Sequence, residues 1–242
     1  IYRQYGSTHG SINVSQAITE SCNYFFYETG RLTGIETIDN YATQFGLGRS
    51  TGIETGDSKG ALASPEYAKA NELEWTDGQT ITAAIGQSYN LFTPIQLANY
   101  VATLVGDGEH YKAHLLKNVK SYDNSSMIYA YDEGPENTVS ISDSTLQAVK
   151  EGMYGVANST LSSQFSRCIV TCGAKTGSAQ VGTDIANGTF VCFAPYDDPQ
   201  IAVAVVIEKG GSGAGVAVDI VNAYFSREEI GTAIIGENTL IS

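Results

Sequence analysis

Two short stretches hold the residue types best suited to chemistry. Lys175-Thr176-Gly177-Ser178-Ala179-Gln180 opens a run of strand-like segments, and Ser21-Cys22-Asn23 lies 154 residues upstream in a stretch of helical pattern. A lysine followed by hydroxyls and a glycine, paired with Ser-x-Asn, supplies groups that acyl transfer through a serine could use. A third motif would complete the set: Ser-x-x-Lys, with the base one helical turn from the nucleophile. No serine in the 242 residues has a lysine three positions on.

Taken singly, each stretch has a plainer reading. Asn23 could cap a helix through the free amides of Phe26 and Tyr27, and Lys175 could be a surface charge at a strand end. Strand alternation puts Thr176 and Ser178 on one face and sends Lys175 to the other, so its stem would have to reach around the strand. Gly177 leaves room for a chain lying against the strand edge. Other chemistries fail on their spacing. The stretch Gly210 to Gly215 misses a G-x-S-x-G elbow because residue 214 is alanine, and Ala174 stands where a phosphate loop needs glycine. His9, His110 and His114 are too few and scattered for a metal site, so they are expected to pack or to face solvent. No cofactor motif is present.

Composition narrows the class. The net charge of −13 argues against a nucleic-acid partner and against anionic lipid, so an anionic ligand would need a local positive site. Only 16% of residues are charged, and fifteen tyrosines with many Ser, Thr and Asn fill the surface, as in many extracytoplasmic proteins. The longest apolar run, Ile201 to Ile207, suits a buried strand and is too short to cross a bilayer. Cys22, Cys168, Cys172 and Cys192 are too few for a disulfide framework and read as buried thiols. A Cys168–Cys172 bond is excluded on one continuous strand but open in a loop.

The elements that must position these residues follow from periodicity. Ile18, Cys22, Phe25 and Phe26 recur on one helical face. Residues 36–45 form a second helix, stopped by Gly46 and Gly48. Thr93-Pro94-Ile95-Gln96 opens a third with a capping box and proline at its first position, buried along Leu97, Val101, Leu104 and Val105. Residues 114–121 and 127–131 predict an exposed hairpin around Asp123-Asn124-Ser125, and 143–157 a helix. Strands are expected at 173–181, 189–194 and 201–208, the last two antiparallel about Asp197-Asp198-Pro199, and a closing helix at 214–226. A helical block followed by strands with a packed helix is α+β.

Over nearly its whole length the sequence resembles the transpeptidase domain of monofunctional, class B-like penicillin-binding proteins. The resemblance rests on His9-Gly10, Ala17-Ile18, Ser21 to Phe26, Phe45-Gly46-Leu47-Gly48, Thr51-Gly52-Ile53, Ile85-Gly86-Gln87, Thr93-Pro94, Glu151-Gly152-Met153, Lys175 to Gln180 and Phe193-Ala194-Pro195, in the family's order and spacing. It implies an incomplete penicillin-binding/serine β-lactamase-like fold, with a mainly helical lobe at about 10–110 and a sheet lobe with closing helix at about 111–242. It also implies a break near Ser21–Asn23, placing both polar side chains on a turn facing a cleft.

The implied roles are these. Ser21 relays a proton between the nucleophile's lysine and the leaving nitrogen. Asn23 bonds the substrate backbone, and Lys175 supplies positive potential. Thr176 and Ser178 grip the terminal carboxylate, Gly177 admits the peptide, and the Ser178 N–H is one oxyanion donor; serine at 178 replaces the more usual threonine. The implied ligands are peptidoglycan stem peptides ending in D-alanyl-D-alanine and β-lactams, leaving room for cell-wall synthesis proteins as partners. The chain is then expected to be the C-terminal part of a longer protein, anchored by an N-terminal segment outside a bacterial cell membrane, and inactive alone. The family sheet has five antiparallel strands, two of them preceding the nucleophile. Three are expected here, with one edge unpaired. A non-catalytic binding or sensor module, or a β-lactamase-like hydrolase, would use the same cleft.

Overall fold

The computed structural model describes residues 8–180 and 186–231. The opening Ile1-Tyr2-Arg3 and residue 181, the last expected of its strand, lie outside them. Six helices come first: α1 (Val14–Thr19), α2 (Asn23–Thr33), α3 (Ile35–Gln44), α4 (Pro65–Ala70), α5 (Asp77–Ala83) and α6 (Pro94–Val105). Four short strands follow: β1 (Glu109–His110), β2 (Asn118–Lys120), β3 (Met127–Ala130) and β4 (Asn137–Thr138). Then come α7 (Asp143–Gly155), a π-helical turn over Val156–Thr160, α8 (Ser162–Phe165), β5 (Gly173–Gln180), β6 (Ala186–Ala194), β7 (Ile201–Ile207) and α9 (Ala214–Gly231).

Local sequence accounts for the element ends. Thr93 accepts from the Gln96 amide while the Gln96 side chain accepts from the Thr93 N–H, so the capping box at α6 is complete. Asn13 and Gln16 form a second one at α1. The α3 helix ends in a Schellman turn: Gly46, at φ +81°, donates to the Thr43 carbonyl, and Leu47 donates to that of Ala42. The expected hairpin is β2–β3, with its first strand shortened to three residues. Asn23 is not a cap; Cys22 occupies that position and Asn23 begins α2.

β5, β6 and β7 form an antiparallel sheet in that order, with register Lys175↔Val191, Thr176↔Phe190 and Cys192↔Val203. Both faces are covered. Phe190, Cys192, Ala194 and Val203 pack on Ala217, Val218 and Val221 of α9, with Leu161 and Phe165 beside them. On the other face Phe193 joins Ile18 of α1, Val101 and Leu104 of α6, and Met153 of α7. Among the described residues no strand pairs with the outer edge of β7.

The α1–α7 contact fixes where α1 ends. Ser15 Oγ donates to the Ala148 carbonyl at 2.8 Å and Thr19 Oγ1 to that of Gly152 at 3.1 Å. A methyl on Gly152 would sit 2.6 Å from Ile18 Cβ, so glycine there permits the close approach.

Among the described residues, one buried carboxylate oxygen has no hydrogen-bond partner. It is Asp39 Oδ1 on α3, and desolvation, then the charge of Glu66, push its carboxyl up to about 6 from 3.8. The folded state therefore holds this proton more tightly than the unfolded chain does. Stability should fall as pH rises from about 4 through 6. Asp39→Asn is expected to flatten that slope and raise the melting temperature at pH 7.5; thermal melts of both proteins across this range check it.

Candidate active site

The turn between α1 and α2 is a second Schellman motif. The Ser21 N–H donates to the Ile18 carbonyl and the Cys22 N–H to that of Ala17, at 3.2 and 2.9 Å. Here the left-handed position, φ +48°, holds Ser21 rather than glycine. A side chain in that conformation is strained, which is common at functional turns. Cys22 and Ala17 are buried beneath the turn, while Ser21 and Asn23 are exposed.

Lys175 reaches this turn from β5. Its register partner Val191 packs on the helical face of the sheet, so Lys175 shares that face and need not go around the strand. The expectation from alternation gave the right parity but the wrong side. Lys175 Nζ donates to Ser21 Oγ, and to the Thr176 carbonyl at 3.0 Å. Burial among the helices holds its ammonium below the ordinary lysine range. In a chain with net charge −13, this is a local, partly desolvated cation bonded to a serine hydroxyl.

The outer edge of β5 is shaped by a residue to which sequence reasoning gave no role. Gln87, in the turn after α5, donates from Nε2 to the Ser178 carbonyl at 2.9 Å. Its only sequence signal was its place in the Ile85-Gly86-Gln87 stretch. The Thr176 and Ser178 carbonyls are thus both taken by side chains on the edge away from β6. In an extended strand the N–H and C=O of one residue point the same way, so the Ser178 N–H also faces that edge. The Thr176 and Ser178 side chains share the register face of Phe190 and Gly188, toward α9; Gly177 and Ser178 are exposed.

Two concavities flank the site. One, of about 1150 Å³, is bordered by Ser21, Asn23, Tyr24, Phe25, His9 and Leu32. The other, of about 500 Å³, runs from Gly177 and Ser178 past Gln87 to Phe45, Leu97 and Tyr100. The structure therefore brings Ser21 and Lys175 together and sets Asn23 beside them. His110 is a buried packing residue instead, its ring against Gly46 and its Nδ1 2.9 Å from Thr103 Oγ1. Among the described residues no cluster of metal-ligating side chains occurs, and no helix is long and apolar enough to cross a membrane.

The fold is α+β, a helical block against an antiparallel sheet, with Lys-Thr-Gly on the edge strand meeting Ser-x-Asn on a helix–helix turn. The model of the penicillin-binding protein transpeptidase domain matches residues 1–226, and the chain belongs to that family. It is 32% identical over 240 residues to the peptidoglycan D,D-transpeptidase MrdA of Salmonella typhimurium, a match spanning 90% of this chain and 38% of that protein. Pseudomonas aeruginosa PBP2 superposes with a TM-score of 0.74 at 28% identity, covering 94% of this chain and 50% of that one. Helicobacter pylori PBP2, solved as a complex with MreC, gives 0.73 at 25% identity, over 91% and 41%. The chain thus spans about four-tenths of the length of the curated relatives it matches.

Proposed function

We propose that this chain is part of a peptidoglycan D,D-transpeptidase that binds stem peptides ending in D-alanyl-D-alanine and is acylated by β-lactams. The nucleophilic serine is supplied by a segment outside the 242 residues. The observation that carries this reading is the Lys175–Ser21 hydrogen bond between two motifs 154 residues apart. Residues of about 10–110 and 111–242 serve as the helical and sheet lobes of one unit.

Each group then has a task. Ser21 passes the proton between the nucleophile's lysine and the leaving nitrogen, and the strained turn holds its hydroxyl in place. Lys175 favours an anionic ligand and lowers the proton affinity of neighbouring amines. Asn23, beside Ser21 at the wide concavity, bonds the substrate backbone. The substrate lies along the outer edge of β5 over Gly177, its carboxylate held by the Thr176 and Ser178 hydroxyls, and the outward Ser178 N–H stabilises the oxyanion. No cofactor or metal takes part. Cell-wall synthesis proteins are fitting partners, given the PBP2–MreC complex. The site faces the extracytoplasmic side of the membrane, where stem peptides are.

The test is covalent capture. A longer form carrying the upstream Ser-x-x-Lys should take up a fluorescent penicillin on that serine, while residues 1–242 alone should take up none. No labelling of the longer form would overturn the proposal in favour of a non-catalytic module. Label that is released within a turnover would favour a β-lactamase-like hydrolase.

A further inference from the structure

The three residues before Lys175 lead back to a feature that the proposed chemistry does not use. Cys168 and Cys172 lie in the loop between α8 and β5, both free, with Sγ atoms 3.4 Å apart. The loop is not a strand, so the bar that a continuous strand would impose on bonding them does not apply. Its neighbours hold the thiols face to face. Asn222 of α9 clamps one arm, accepting from the Ile169 N–H and donating to the Arg167 carbonyl, both at 3.0 Å. On the other arm Gly173 is pressed against the Phe193 ring, which leaves no space for a side chain there. Both ends of the five-residue segment are thus fixed by tertiary contacts.

We propose that Cys168 and Cys172 form a dithiol site that closes to an intramolecular disulfide on meeting a disulfide oxidant of the glutathione class, pinning the loop that feeds β5. The Sγ atoms need approach by only about 1.4 Å to reach bonding distance. Cys168 is half-exposed and Cys172 is buried, so the oxidant meets Cys168 first. The two sulfurs share a hydrogen bond in which either could donate; once Cys168 is ionised only Cys172 can, and that bond holds the Cys168 pKa down at about 7, which favours the attacking thiolate. Cys168 thiolate attacks one sulfur of the oxidant, forming a mixed disulfide and expelling one thiolate. Cys172 then loses its proton, attacks Cys168 Sγ and expels the second. Two protein thiols lose two electrons and two protons, and one oxidant disulfide becomes two thiols. Cys192 is shut out, because burial pushes its thiol up to about 12 and leaves it wholly inaccessible.

The sequence supplies its own readout. Trypsin cleaves after Arg167 and Lys175, releasing both cysteines in one eight-residue peptide. The folded chain is equilibrated in buffers of graded reduced and oxidised glutathione, acid-quenched, alkylated and digested. The disulfide form of this peptide, lighter by two hydrogens, should persist to at least about tenfold more reduced glutathione than in the free peptide of the same sequence, because the fold holds the thiols together. Oxidation should also raise the melting temperature by about 4–8 °C. Cys172→Ala should stop at a glutathione adduct on Cys168, and Cys168→Ser should take up none at Cys172. Equal midpoints for protein and peptide, a stable adduct on wild-type Cys168, or an unchanged melting temperature would each overturn the proposal. None of these readouts depends on penicillin uptake, so this proposal and the transpeptidase reading fail independently.

Discussion

Lys175→Ala, in a form of the protein that carries the nucleophile segment, is expected to slow acylation by a fluorescent penicillin about 10²–10³-fold. The size follows from what the ammonium does. It is the cation that reaches the turn, it is partly stripped of water, and it bonds Ser21 directly. A charge in such a place acts on developing anionic character more strongly than it would in bulk solvent. On the proposed reading, removing it deprives Ser21 of its hydrogen-bond donor and the site of the cation that favours an anionic ligand. Stability should change little by comparison, since the loss relieves a desolvated ammonium. Time-resolved gel fluorescence, with a thermal melt as control, separates the two effects. Labelling that stays within a few-fold of wild type would remove Lys175 and its contact from the mechanism.

The second large effect concerns folding. Gln96→Leu should destabilise the chain by about 3 kcal/mol, lowering the melting temperature by about 6–12 °C. Gln96 is only 1% exposed, yet every polar atom of its side chain is in use. Nε2 donates to the Arg49 carbonyl at 2.7 Å and to the Lys59 carbonyl at 3.0 Å, while Oε1 accepts from the Thr93 N–H at 2.8 Å. Leucine fills similar space but strands two carbonyls and an amide that have no other side-chain partner among the described residues. Gln96→Glu keeps the acceptor, loses both donations and adds a buried charge, so it should be no better tolerated. A variant within 1 kcal/mol of wild type in urea titration would show that solvent satisfies those groups once the loop relaxes.

Gln96 also shows how far the sequence could be read. Its capping box with Thr93 is a local pattern and was legible, as was the start of α6. Its bonds to Arg49 and Lys59 join residues 47 and 37 positions away, and no periodicity announces them. The same division runs through the site. Lys-Thr-Gly and Ser-x-Asn could be found by type and spacing, but the break between α1 and α2 could not be found by pattern. Ile18, Cys22, Phe25 and Phe26 keep helical spacing straight through it, and the left-handed position that Gly46 advertises after α3 is occupied by a serine after α1. Alternation along β5 grouped Thr176 with Ser178 and set Lys175 apart. It could not say which face was which, because helices cover both sides of the sheet. Gln87 stood in a recognisable stretch, but its reach to Ser178 depends on how the turn after α5 meets the strand.

The serine in the left-handed corner of the first turn sets two demands against each other. Glycine would sit there without steric penalty and make the corner more comfortable, but it would delete the hydroxyl that meets Lys175. Position 21 is therefore where a search for thermal hardiness would part company with a search for turnover, and a chain optimised blindly for the first would be drawn toward silence in the second.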